Sequence, residues 1–176
     1  MPGFMIGGTG GEPQFGPGPN SLVEVRRTHR WVFETLGHLT DRQVLLVLKS
    51  AQRPSFTFEE PEMHHNQEKI YFAGKQSWEA ISLTFYDVEQ DPDVSGAVWD
   101  WLESVETISN VCVRSPADYK NRNAVLAMVD GCGNPDEEWT IYNGWPQQVN
   151  WNALDYSSTD LQLIEVKYRF DRALRG

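Results

Sequence analysis

The sequence predicts a mainly β protein, an antiparallel sandwich or barrel with one flanking α-helix. Three observations carry that expectation. Leu161–Asp171 alternates with period two, setting Ile164, Val166, Tyr168 and Phe170 against Glu165, Lys167, Arg169 and Asp171, as a strand with one buried face requires. Short alternating runs recur along the chain between turns rich in Gly and Pro. One stretch follows instead the three-and-four spacing of an amphipathic helix.

The totals bound what such a body does. A chain of 176 residues with 40% hydrophobic content, seven Trp, six Tyr and eight Phe suits one domain with a substantial core. Fifteen Lys and Arg against 25 Asp and Glu give a net charge of −10, which repels nucleic-acid phosphates. Apolar runs stay far short of the roughly 20 residues that cross a bilayer, the longest being Val44–Leu48. The N-terminus lacks a basic region followed by a continuous apolar stretch, so a signal peptide is not expected. Cys112 and Cys132 are too few for a disulfide framework and are expected as reduced thiols.

Residues 1–20 hold seven Gly and four Pro, a composition that builds neither ladder nor helix, and read as a mobile arm ahead of a domain over 21–176. The run Gly7-Gly8-Thr9-Gly10-Gly11 has no strand before it and no helix after it, so it is not a phosphate loop. Thr28–Leu36 reads as the first strand and Gly37–Asp41 as a turn. Gln43–Lys49, apolar on both faces, reads as a strand covered on both sides. Arg53-Pro54 breaks it. Extended structure resumes at Ser55–Phe58, Pro61 marks a bulge or edge within a long hairpin, and Glu68–Ala73 is a further strand.

Ala80–Asp87 alternates Ile81, Leu83 and Phe85 against Ser82, Thr84 and Tyr86. Asp91 and Pro92 then suit an N-cap and a first helical position. Val94, Ala97, Val98, Trp101, Leu102 and Val105 make the apolar stripe of the helix. Trp99 falls off that stripe, facing either a neighbouring molecule or the surface of its own subunit. Residues 106–123, with Pro116 inside, read as an irregular connection. Ala124–Asp130 is a strand, Gly131–Pro135 a turn, and Glu138–Asn143 an antiparallel return ending at Gly144-Trp145-Pro146, after which a loop leads to Leu161.

Catalytic arrangements are not legible. His64 and His65 are adjacent and point to opposite faces of a strand, a poor pair of metal ligands. Glu59, Glu60 and Glu62, and likewise Asp136, Glu137 and Glu138, lie in polar hairpin regions and read as solvated acidic faces. No nucleophile elbow appears. Neither an enzyme, a cofactor nor a metal is expected. Binding surface is more legible. The C-terminal strand and the Gln43–Lys49 strand carry few features that blunt an edge, and apolar residues on both faces of Gln43–Lys49 and Ala124–Asp130 exceed what a small sandwich covers. Both favour self-association by strand addition.

Four collinear blocks over about residues 28–172 resemble the tail tube proteins of contractile-tailed bacteriophages, the T4-like family. They are His29-Arg30-Trp31-Val32-Phe33-Glu34-Thr35-Leu36-Gly37; Lys69-Ile70-Tyr71-Phe72-Ala73-Gly74 with Trp78–Asp87; Pro116-Ala117-Asp118-Tyr119-Lys120; and Gly144-Trp145-Pro146 with Val149 and the terminal strand. Gly144 abuts Trp145 here, where the family places an apolar residue between them, and the N-terminal arm is longer and richer in Gly and Pro.

The resemblance implies a structural subunit that closes into hexameric rings, their inner sheets joining into one barrel around a lumen. Rings stack into a tube inside a sheath, above a baseplate and below a terminator, with a tape-measure protein and transiting DNA inside. Such a tube belongs to a virion, is assembled in the host cytoplasm and has no membrane partner. An acidic lumen would pass DNA without trapping it. The hairpin Gln43–Ala73, the arm and the C-terminal residues are expected to reach neighbouring rings. Subunit contacts are expected at Val44, Leu46 and Leu48, at Glu59, Glu60 and Glu62, at Trp99, and at Trp145, Tyr168 and Phe170. Alternatives are a baseplate-proximal tube initiator or secretion-system tube subunit of the same fold, a monomeric β-barrel that binds a small molecule, and a hydrolase using the clustered carboxylates.

Overall fold

A computed structural model describes residues 26–65, 68–89, 93–107 and 112–176. The expected arm and Asp91-Pro92 lie outside them. The chain divides into two compact units, Met1–Arg30 and Trp31–Gly176. Of the first, the described part is a turn closed by the Arg30 N–H donating to the Arg27 carbonyl at 3.2 Å. The second holds every element below.

In chain order these are β1 (Trp31–Leu36), α1 (Arg42–Leu46), β2 (Leu48–Ala51), β3 (Phe56–Phe58), β4 (Glu62–His65), β5 (Glu68–Tyr71), β6 (Gln76–Trp78), β7 (Ile81–Tyr86) and α2 (Val94–Glu103). There follow β8 (Glu106–Thr107), β9 (Cys112–Val113), α3 (Pro116–Tyr119), β10 (Ala124–Val129), β11 (Pro135–Tyr142), β12 (Trp145–Asn150), β13 (Leu163–Arg169) and β14 (Arg172–Arg175). Two four-stranded antiparallel sheets result, ordered β1-β10-β11-β14 and β12-β13-β7-β2. Their apolar faces form one core with α1 and α2. The expected sandwich with a flanking helix is therefore the fold.

The alternations seen in sequence account for that core. Ile81, Leu83 and Phe85 of β7 oppose Tyr168, Val166 and Ile164 of β13, and all six are buried. In β1 a register shift between Phe33 and Thr35 inserts Glu34 as an extra residue. The bulge resets the alternation, so Phe33 and Leu36 are both buried although an odd step separates them.

Several expectations are corrected. The first strand begins at Trp31 rather than Thr28. Gln43–Lys49 is not one strand. The Asp41 carboxylate accepts from the Gln43 N–H at 2.8 Å and starts the short helix α1, and β2 begins only at Leu48. Two apolar faces over such a stretch suit a helix turn wedged at the core as well as a covered strand: Val44 and Leu45 are buried while Leu46 is 67% exposed. Asp93, not Asp91, caps α2, its carboxylate accepting from Ser95 N at 3.1 Å and Gly96 N at 3.0 Å. Val94, Val98 and Trp101 are the buried stripe. Residues 106–123 contain a two-residue ladder and a one-turn helix.

Trp145-Pro146 does not end extended structure but begins β12, an edge strand where the missing proline N–H costs no ladder bond. The alternating C-terminal strand β13 lies inside its sheet between β12 and β7, so it offers no bare edge. The edges belong to β1 and β14, and to β12 and β2.

Candidate assembly surfaces

The chain between β2 and β7 runs out and back as a two-stranded ribbon. Its strands pair β3 with β6 and β4 with β5. Between those ladders Pro61 cannot donate, and the chain bridges the gap with other bonds: Glu59 N–H to the Lys75 carbonyl at 2.9 Å, Gly74 N–H to the Glu59 carbonyl at 2.7 Å, and Phe72 N–H to the Pro61 carbonyl at 3.1 Å. A Cβ on Gly74 would lie 2.8 Å from the Glu59 carbonyl oxygen, so glycine permits this close crossing. The ribbon matches the expected long hairpin in kind but spans Phe56–Trp78 instead of Gln43–Ala73.

An aromatic file runs along it. Phe170 in the core meets Trp78 at 5.7 Å between ring centroids, Trp78 meets Phe56 at 5.0 Å, and Phe56 meets Phe58 edge-on at 5.4 Å. Burial falls along this line from Phe170, 2% exposed, to Phe58, 51% exposed. Met63 and Ile70 oppose each other across β4 and β5 and are exposed, as are Tyr71 and Phe72. On the other face Glu62, His64 and Lys69 lie with Tyr71, Lys69 Nζ being 3.1 Å and His64 Nε2 3.4 Å from the Glu62 carboxylate. Glu59 and Glu60 are exposed. The result is an arm whose large apolar side chains have no cover among the described residues of its own unit.

A second exposed region joins α2 to the chain after β12. Trp99 is 42% exposed and packs against Trp151 at 5.9 Å, so the indole off the stripe rests on its own subunit and still presents area outward. The Trp151 Nε1–H donates to Ser95 Oγ at 3.0 Å. The chain then bulges outward as a loop whose base is tied by Gln162 Nε2 donating to the Trp151 carbonyl and Asn152 Nδ2 donating to the Leu163 carbonyl. Leu154, Tyr156 and Leu161 are exposed on it, around a groove of about 660 Å³. A further groove of about 410 Å³ lies between β1, α1 and β10, beside the exposed Leu46.

Other expected contact residues lie elsewhere. Val44, Tyr168 and Phe170 are buried in their own core, at 1%, 0% and 2% exposure, and are closed to a second subunit. Leu48 is half-buried on β2, and Trp145 is half-buried edge-on to Tyr119 at 6.0 Å. Tyr168 stacks on Trp101 at 5.6 Å. Burial pushes its phenol well up, and neither Tyr168 Oη nor Trp101 Nε1 has a hydrogen-bond partner among the described residues. Gly144 serves this same spot: a Cβ there would fall 1.9 Å from Tyr168 Oη.

Of the acidic runs, Asp136 and Glu138 face out, whereas Glu137 is 4% exposed. Its carboxylate accepts from Trp139 Nε1 at 2.5 Å and from Arg175 Nη2 at 3.3 Å. The expectation of a wholly solvated face fails there, because period-two alternation in β11 turns every second residue inward. Among the described residues no group of three or more His, Cys, Asp or Glu side chains is arranged to hold a metal ion. Cys112 and Cys132 are free and exposed.

No protein-family model matches the chain, and no curated protein matches it in sequence. Solved structures match it in fold. The anti-feeding prophage cap (AFP tube terminating cap) is 14% identical with a TM-score of 0.69, over 89% of this chain and 93% of that one. The PVC sheath/tube terminator of an extracellular contractile injection system, in its extended state, is 14% identical with a TM-score of 0.68, over 89% and 99%. A chain of the PVC sheath–tube complex is 14% identical with a TM-score of 0.64, over 86% and 91%. At that identity the likeness establishes a shared fold.

Proposed function

We propose that this chain is a structural, non-enzymatic subunit of the tube of a contractile tail-like assembly. The observation that carries the reading is the ribbon. An aromatic file that begins in the core and ends in solvent, on a sandwich otherwise closed over its own core, is surface shaped for a copy or a close partner. The fold shared with tube-terminating and sheath–tube chains supports the same reading.

In its finer form the proposal is a phage. Six copies close into a ring through strand edges of neighbouring sheets, with the ribbon reaching the next ring. The tube is enclosed by a sheath, joined to a baseplate and terminator, and filled in turn by a tape-measure protein and by DNA. The net charge of −10 favours this conduit, since acidic walls bind no phosphates. Such a tube is part of the virion and assembles in the host cytoplasm.

Negative-stain microscopy of the purified chain tests the class: rings or hollow rods are expected, and a compact monomer at high concentration would sink it. The Trp99→Ala substitution is expected to lower rod yield while leaving the subunit folded. Full rod yield would remove Trp99 from the contact. A second reading, a terminator that caps a tube, is favoured by the two terminator structures that share the fold. It predicts single rings that never elongate.

A further inference from the structure

The two indoles on α2 and after β12 enclose more than a hydrophobic contact. Trp99 and Trp151 pack on each other at 5.9 Å between ring centroids with planes tilted by 47°, and both line an open cleft of about 320 Å³. Asp93, Ser95, Gly96 and Asp100 line the rest of it. Helical spacing accounts for the arrangement. Residues 93, 96 and 100 follow one ridge of the helix while 95 and 99 follow the next, which sets Asp93, Gly96 and Asp100 beside Trp99, the Asp93 carboxylate lying over Gly96. Trp151 is held upright by its bond to Ser95 Oγ.

We propose that this cleft is a receptor for a guanidinium or ammonium side chain on a basic segment of another protein. Indole faces attract cations through their quadrupole, Trp most strongly, and Asp100 supplies a full negative charge at the mouth. Asp93 is engaged with two backbone N–H groups at the helix start, where it offsets the positive end of the helix dipole. The cation is therefore drawn toward Asp100 and Trp99. The segment Val94–Glu103 contains acidic residues and no basic one. The chain already places a guanidinium on a ring elsewhere, Arg172 over Tyr142 at 4.6 Å. Charge complementarity therefore selects a basic segment as the occupant.

Every wall of the cleft belongs to one subunit, so it can be tested on the unassembled chain. Its test is fluorescence anisotropy with the full chain and a dye-labelled Gly-Arg-Gly-Arg-Gly peptide at low salt, beside the same peptide with citrulline for arginine. Binding of the arginine peptide is expected to weaken about two- to fivefold in Trp99→Leu, which keeps apolar cover but removes the quadrupole. A loss of similar direction is expected in Asp100→Asn, an exposed site where folding is not at stake, and Glu165→Gln on β13 should leave binding unchanged. Equal binding of the citrulline peptide overturns the proposal. So does an affinity that Trp99→Leu and Asp100→Asn leave intact, which assigns the binding to the acidic surface at large. Failure of the chain to form rings changes none of these outcomes.

Discussion

The central strands of the sandwich and the ribbon that leaves it are built from the same local pattern and have opposite fates. In β7 and β13 the alternate residues Ile81, Leu83, Phe85, Ile164, Val166 and Tyr168 are at most 1% exposed. In the ribbon, Phe56, Phe58, Met63, Ile70 and Tyr71 are 40% exposed or more. A strand pattern states which side chains share a face. Whether that face is covered depends on a second layer, and the ribbon has two strands and no layer behind it. Isolated two-stranded hairpins are marginal in water, so the ribbon is anchored at its base by Trp78 against Phe170 and otherwise depends on what it meets.

Substitutions can break this contrast, beginning with the core. Phe85→Ala should destabilise the subunit by about 3–5 kcal/mol in urea unfolding, through lost transfer energy and a residual cavity. A cost under about 1 kcal/mol would show that the sandwich is loosely packed there. The glycines sharpen the point. Gly144→Ala drives a Cβ against the ring and hydroxyl of Tyr168, which α2 and the opposing strands hold in place, and should cost about 1–3 kcal/mol or more. The matching change at Gly74 brings its Cβ to 2.8 Å from the Glu59 carbonyl oxygen, a milder approach in a ribbon open to solvent that can splay, so its melting shift should be the smaller of the two. A larger shift for Gly74→Ala would mean that the ribbon is part of the cooperative unit.

Smaller effects test how the helix and the turn below it join the sandwich. Asp93→Ala removes the cap of α2 and should cost about 1 kcal/mol. His38, in the turn after β1, is held below its ordinary value of 6.5 first by burial and then by Arg122 and Arg114, against backbone hydrogen bonds that raise it. A base depressed in the folded state contributes its full stability above the unfolded value. Stability should therefore fall as pH drops below about 6.5, and His38→Gln should flatten that slope. The depressed carboxyls of Asp130, Asp155 and Asp171 add their own decline only below 3.8, a separate window. Least of all, Phe58→Ala should move the unfolding of an isolated subunit by no more than about 0.5 kcal/mol, while reducing rod yield if the ribbon is an inter-ring contact.

Legibility followed the same division. The β7 and β13 alternations, the stripe of α2 and the odd position of Trp99 were readable because each repeats over several residues. Gln43–Lys49 was misread because its apolar residues satisfy a covered strand and a one-turn helix alike, and the deciding signal was a single residue, Asp41, ahead of it. The strand β14 was missed: Arg172-Ala173-Leu174-Arg175 offers one buried side chain, Ala173, and too little pattern to read. Glu137 looked like its acidic neighbours until the pairing of β11 with β14 put Arg175 beside it. The Trp99–Trp151 cleft joins residues 52 positions apart, and no local pattern announces it.

By itself, then, the sequence determined the β character, the amphipathic helix, the acidic balance and the side chains that share each face, because those follow from periodicity and composition over a few neighbouring residues. Tertiary structure alone decided which strands lie at edges, which apolar faces stay bare and which carboxylate is buried. Those properties depend on contacts between segments far apart along the chain, where the same local pattern is compatible with either outcome.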